Sequence, residues 1–214
     1  MKTLILGAGN LLLSDEGFGV HFIRHLERHY TRAHAEVGRD VPSAPSEVTR
    51  TRPCQTPSAA RGALGTARPT SRQYSFPPDV ELFDAGTLGL MVGHKLEEAD
   101  RVYIVDTIAA PGVPGTCIRY AKEDFLLERI PIKLSPHQVG VQEMLQVSML
   151  RGRCPAEIYL LGVIPCSLEP GTELSSLLQQ RLPEIAAQLV SELSVRNPPS
   201  RPWAAGCSGT RPGR

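Results

Sequence analysis

No apolar run in these 214 residues approaches the roughly 20 that a membrane helix needs, which excludes a spanning helix. The five cysteines, Cys54, Cys117, Cys154, Cys166 and Cys207, are odd in number, scattered and without a C-x-x-C pair. They read as reduced thiols and not as zinc ligands or a disulfide frame. Aromatics are scarce, at 5% of residues with one tryptophan, and the arginine-rich stretches are not interleaved with them, which disfavours a nucleic-acid surface. Met1-Lys2 leads straight into an apolar strand, leaving no room for a signal peptide, so the expectation is a cytosolic protein that binds neither membrane nor nucleic acid. What is present is globular: 41% hydrophobic and 21% charged residues, enough chain for one domain with its own core.

The organising stretch is Gly7-Ala8-Gly9-Asn10-Leu11-Leu12-Leu13-Ser14-Asp15-Glu16-Gly17-Phe18-Gly19. It follows the buried-strand run Leu4-Ile5-Leu6 and opens a segment in which Phe18, Phe22, Leu26 and Tyr30 recur every fourth position, a helical period. Ser14 is placed to cap that helix, with Asp15 and Glu16 in its first turn. A dinucleotide fingerprint would need glycine where Leu12 stands, and no Gly-Lys-Ser/Thr makes a phosphate loop. Two adjacent acids suit a cation better than a phosphate. The plainer alternative is that both are surface acids complementing the helix dipole.

The formal charge of +1 is unevenly spread. Residues 31–78 hold seven Arg against three acids, and residues 194–214 hold four Arg and no acid, so the remainder of the chain carries a net of −7. The 31–78 stretch also contains seven prolines and neither hydrophobic period, and it reads as a disordered insertion. Around it, residues 1–193 read as a single domain, and 194–214 as a flexible tail.

Beyond the insertion, Val80–Asp84 and Val102–Asp106 are strands that each end in an acid. Thr116–Tyr120 reads as a short antiparallel edge strand and Ile158–Ile164 as the last strand. A final amphipathic helix runs from about Glu173 to Leu193, with Leu174, Leu178, Leu182, Ile185 and Leu189 on its core face. Leu134-Ser135-Pro136-His137-Gln138 is a helix start, with Ser135 as cap and Pro136 at the first position, which puts His137 in the first turn. Strands alternating with helices predict an α/β fold of three layers, with a twisted, mostly parallel sheet of about five strands flanked by helices. Right-handed crossovers bring the first turn, the ends of the strands and that helix start to one edge. Glu16, Asp106 and His137 then converge as two carboxylates and an imidazole, a donor set for a divalent ion such as nickel or zinc with positions left open.

The blocks Gly7-x-Gly9-Asn10 with Asp15-Glu16-Gly17 and Gly19, Asp84-Ala85-Gly86-Thr87, Val105-Asp106, Ser135-Pro136-His137-Gln138, and Gly162-Val163-Ile164-Pro165 with Ser167-Leu168-Glu169-Pro170 resemble the nickel-iron hydrogenase maturation endopeptidases. They occur in that family's order from Met1 to about Leu193, apart from the 31–78 insertion, which is foreign to the pattern; Ala85 stands where glycine is common. The resemblance implies an endopeptidase that removes a C-terminal extension from the hydrogenase large-subunit precursor after nickel insertion. It implies Glu16, Asp106 and His137 as the metal-contacting residues, Asp84 as a supporting one, and nickel supplied by the precursor or another divalent metal as the ion; a monomer is expected. Whether the ion is a recognition signal or activates a water stays open at this point; the resemblance favours recognition. A non-catalytic metal- or peptide-binding module on the same scaffold is the alternative, and a nucleotide-binding enzyme comes third.

Overall fold

The computed structural model describes residues 1–32, 75–87, 89–126, 136–194 and 203–205. They belong to the unit Met1–Ala33 with Gln73–Arg214; the unit His34–Arg72 lies outside the described residues. The expectation of a disordered insertion over 31–78 falls mostly on that undescribed stretch. At its borders, strand β2 (Thr31–Arg32) pairs in parallel with β3 (Ser75–Phe76), and Phe76 is buried.

The main sheet contains β1 (Thr3–Ala8), β4 (Val80–Gly86), β5 (Arg101–Thr107), β6 (Cys117–Ala121), β7 (Glu157–Val163) and β8 (Ala204–Ala205), in the order β4-β1-β5-β7-β6-β8. The first four in that order run parallel, while β6 is antiparallel to β7, as the short loop before it dictates. The sixth strand is Ala204–Ala205, within the stretch read as a flexible tail. It adds to β6, and the preceding Trp203 donates its indole N–H to Glu192 at 2.8 Å.

The central strands are apolar on both faces because helices cover both. On one side Ile5, Tyr103, Val105 and Leu161 pack under α1 (Phe18–His29) and α5 (Ser176–Ser194), which supply Phe18, Phe22, Leu26, Leu178, Leu182, Ile185 and Leu189. On the other, Leu4, Leu6, Ile104 and Leu160 pack under α2 (Gly93–Glu97) and α4 (Pro136–Leu150), through Leu96, Met144 and Leu145, while the short α3 (Lys122–Leu126) follows β6. The three layers of the sequence expectation are therefore present.

The strand order positions the site. From β1 the chain crosses to β4 on one side of the sheet, then returns past β1 to β5 and continues to β7 on the other. The connections thus reverse direction between β1 and β5, the switch point at which open α/β sheets leave a crevice beyond the carboxyl ends of their strands. Glu16 follows β1, and Asp106 is the penultimate residue of β5.

Candidate active site

The segment leaving β1 turns sharply at Gly9, whose φ is +142°. A β-carbon there would stand 2.0 Å from the carbonyl oxygen of Glu16, so only glycine lets the chain fold back against that residue. The Asn10 N–H donates to the same carbonyl at 3.2 Å. Residues Ser14–Gly17 then form a 3₁₀ turn, and α1 begins only at Phe18 with Gly17 at its cap position. The expected capping by Ser14 does not occur. Ser14 has a φ of +45°, and its hydroxyl donates to the Glu169 carbonyl at 2.7 Å, a bond outside its own helix.

The two acids of the turn are not surface groups. Asp15 is 0% and Glu16 2% exposed, which overturns the reading of both as solvated dipole partners. They have different surroundings. Asp15 accepts backbone N–H bonds from Cys166, Ser167 and Ser175 at 2.7–2.9 Å. Glu16 has an oxygen, Oε2, that is buried and meets no hydrogen-bond donor among the described residues. A buried carboxylate oxygen left without a partner costs on the order of 1–3 kcal/mol, so this atom calls for a partner that the described groups do not supply.

Asp106, 3% exposed, stands on strand β5, against which the Ser14–Gly17 turn packs. Its Oδ1 accepts the Thr107 N–H at 2.7 Å. In the alternation Val102, Ile104, Asp106, Ile108 it falls on the face covered by α2 and α4. Helix α4 leads into β7, whose start at Glu157 pairs with Arg101 at the amino edge of the sheet, and Arg151 just beyond the helix bonds Glu97 at 3.2 Å. The helix therefore descends towards that edge over about 22 Å, and its first turn, with Pro136 and His137, lies towards the carboxyl edge where Glu16 and Asp106 sit. The His137 side chain and Ser135, the residue expected to cap this helix, lie outside the described residues. Among the described residues no three His, Cys, Asp or Glu side chains gather as a metal group.

Asp84 is placed apart from the buried pair. It is exposed, faces Gly7 in the β1–β4 register, and holds the Gly86 N–H at 3.0 Å through Oδ1, with Arg24 3.8 Å from its other oxygen. Gly86 in turn accepts the Gly9 N–H at 2.9 Å, so Asp84 steadies the turn from which the Glu16 segment departs.

The family model of the HycI hydrogenase maturation proteases matches residues 66–192. The chain belongs to the hydrogenase maturation protease family. It is 26% identical to the hydrogenase 2 maturation protease of Escherichia coli, over 90% of this chain and 91% of that one. It is 28% identical to the hydrogenase expression/formation protein HupD of Bradyrhizobium diazoefficiens, over 91% and 80%. Among solved structures, the hydrogenase maturating endopeptidase HybD from E. coli superposes with a TM-score of 0.65 at 26% identity, covering 91% of this chain and 93% of that one. The [NiFe] hydrogenase maturation protease HybD from Thermococcus kodakarensis, at 18% identity and a TM-score of 0.58 over 91% and 100%, shares the fold.

As a hydrogenase maturation protease the chain is a peptidase, and its chemistry is to be sought in the crevice of the switch point. A separate space of about 540 Å³, lined by Met1, Asp79, Arg101 and Glu192, lies at the opposite, amino edge of the strands. Sequence reasoning missed Asp15 as anything more than a neighbour of Glu16. No local signal marks it, because its three donors are more than 150 residues away along the chain.

Proposed function

We propose that this maturation protease cleaves the C-terminal extension from the large-subunit precursor of a nickel-iron hydrogenase, and that Glu16, Asp106 and His137 recognise nickel already carried by that precursor. The observation that carries this reading is the buried Glu16 carboxyl, whose Oε2 has no donor among the described residues, on a turn packed against the strand of buried Asp106. A divalent cation supplies what such an oxygen lacks, and carboxylates with imidazole form a donor set suited to a borderline ion such as nickel. Nickel enters as part of the substrate, so its arrival reports that the precursor is ready to be trimmed. Asp84 supports the site through the Gly86 turn. We place the reaction in the cytoplasm, with the enzyme acting as a monomer.

Two alternatives follow from the same residues. The ion bound by these side chains could also polarise the scissile carbonyl or acidify a water, in which case it is catalytic as well as a signal. A non-catalytic binding module on this scaffold would bind precursor and leave its length unchanged. Incubating nickel-loaded precursor with wild-type protein and with Glu16→Gln, followed by intact-mass spectrometry, tests the proposal against the binding module. The proposal expects a shortened product with the wild type. It also expects a loss of at least about 100-fold with the variant, the upper end of what outer-sphere partners of a metal give. Bound but uncut precursor with the wild type would establish the binding module instead.

A further inference from the structure

Glu16 owes its position to two attachments on opposite sides of the Ser14–Gly17 turn. On one side its own carbonyl is held by the Asn10 N–H, under Gly9. On the other, the turn is fastened to the segment between β7 and α5. Asp15, 0% exposed, takes the N–H groups of Cys166 at 2.8 Å and Ser167 at 2.9 Å on one oxygen, and that of Ser175 at 2.7 Å on the other. The Ser14 N–H donates to the Gly171 carbonyl at 2.8 Å, the Ser14 hydroxyl to Glu169 at 2.7 Å, and the Gly171 N–H to Leu12 at 3.0 Å. Ser14 holds a left-handed φ of +45° to make these bonds, a conformation that a serine keeps only when its surroundings over-determine it.

A buried carboxylate that accepts three backbone donors from one remote loop is a structural anchor of high directional strength. Its neighbour in sequence is a buried carboxylate whose Oε2 has no donor among the described residues. Side chains that must meet an incoming group are placed by the bonds of the residues around them, because their own polar atoms have to be left free. Resting on the function proposed above, we propose that Asp15 is the positioning residue of the site: by clamping the 166–175 loop to the Ser14–Gly17 turn, it fixes the direction of the Glu16 carboxyl. Asp15 itself touches neither precursor nor nickel.

The test is a cycle of wild type, Asp15→Asn, Glu16→Gln and the double variant, with kcat and KM for cleavage of nickel-loaded precursor measured well below each melting temperature. The amide in Asp15→Asn keeps the shape but turns a donor towards one of the backbone N–H groups. Expected is a kcat about 10-fold lower per folded molecule with KM within about twofold, and no further loss when the change is added to Glu16→Gln. Faster hydrogen exchange at Cys166, Ser167 and Ser175 should accompany it. An unchanged kcat in a folded Asp15→Asn, or an equal fractional loss in both backgrounds, would overturn the positioning role. Should Asp15→Asn not fold, Gly171→Ala carries the test, since a β-carbon there would stand 2.8 Å from the Ser14 hydroxyl and loosens the clamp without altering an acid. Reduced kcat at unchanged KM supports the proposal, and wild-type kcat contradicts it. Failure of the wild type to cleave would instead defeat the function reading on which the proposal rests.

Discussion

Gly19 lies so close to the backbone of Val105 that a β-carbon on it would stand 2.3 Å from the Val105 carbonyl oxygen, and 2.1 Å from that of Ala8. This contact joins the first turn of α1 to the ends of β1 and β5, and so joins the residue three after Glu16 to the residue just before Asp106. Both obstacles are backbone atoms of central strands, which have no room to give. Gly19→Ala is expected to destabilise the protein by about 3 kcal/mol, at the upper end of what overpacking does, and to reduce cleavage at temperatures where it still folds. Urea unfolding measures the first effect and precursor processing the second.

Asp84 should act through a hydrogen bond and not through charge. Asn keeps an oxygen for the Gly86 N–H, whereas Ala removes it, so Asp84→Asn should cleave precursor much as the wild type does, and Asp84→Ala should lose about 1 kcal/mol of stability. Equal activity loss in both variants would place the carboxylate charge in the reaction.

The thiols should differ in reactivity. Cys117 is buried beneath α5, and burial pushes its thiol up to about 12 against the opposing charge of Arg181. Cys166 is exposed. Alkylation at pH 8 followed by peptide mapping should modify Cys166 readily and Cys117 only after unfolding.

Histidine on α1 gives a signed pH dependence. Burial foremost, then the charges of His29 and Arg28, hold His25 below the ordinary value of 6.5. Between that lowered value and 6.5 the unfolded chain binds a proton that the folded chain refuses, so stability is fully present above 6.5 and falls as the pH drops through this window. Replacing His25 with Asn should flatten this part of the stability curve, measured by urea titration between pH 5 and 8.

Much of this architecture was legible in the sequence because the central strands are buried on both faces and so appear as uninterrupted apolar runs, as at Leu4–Leu6 and Val102–Val105. The face of α5 was legible for a related reason: Leu178, Leu182, Ile185 and Leu189 follow the helical period and are buried as that period requires. Asp106 could be placed because a strand that ends in an acid at a sheet edge is a pattern, and Glu16 because of the glycine turn before it. What escaped was set by distance along the chain. Ser14 has the chemistry of a helix cap, yet its hydroxyl is taken by Glu169, 155 residues away. Strand β8 is two alanines with no period of their own, held beside β6 next to a tryptophan that reaches Glu192. The role of Asp15 depends on a loop that no window around it contains.

In the function proposed above, Glu16, Asp106 and His137 read nickel carried by the precursor. The most direct measurement is intact-mass spectrometry of large-subunit precursor incubated with the wild-type protein, once loaded with nickel and once nickel-free. A shortened product is expected in the loaded sample alone, lost again with Glu16→Gln. Equal cleavage of both precursors, or cleavage unaffected by that substitution, would contradict it.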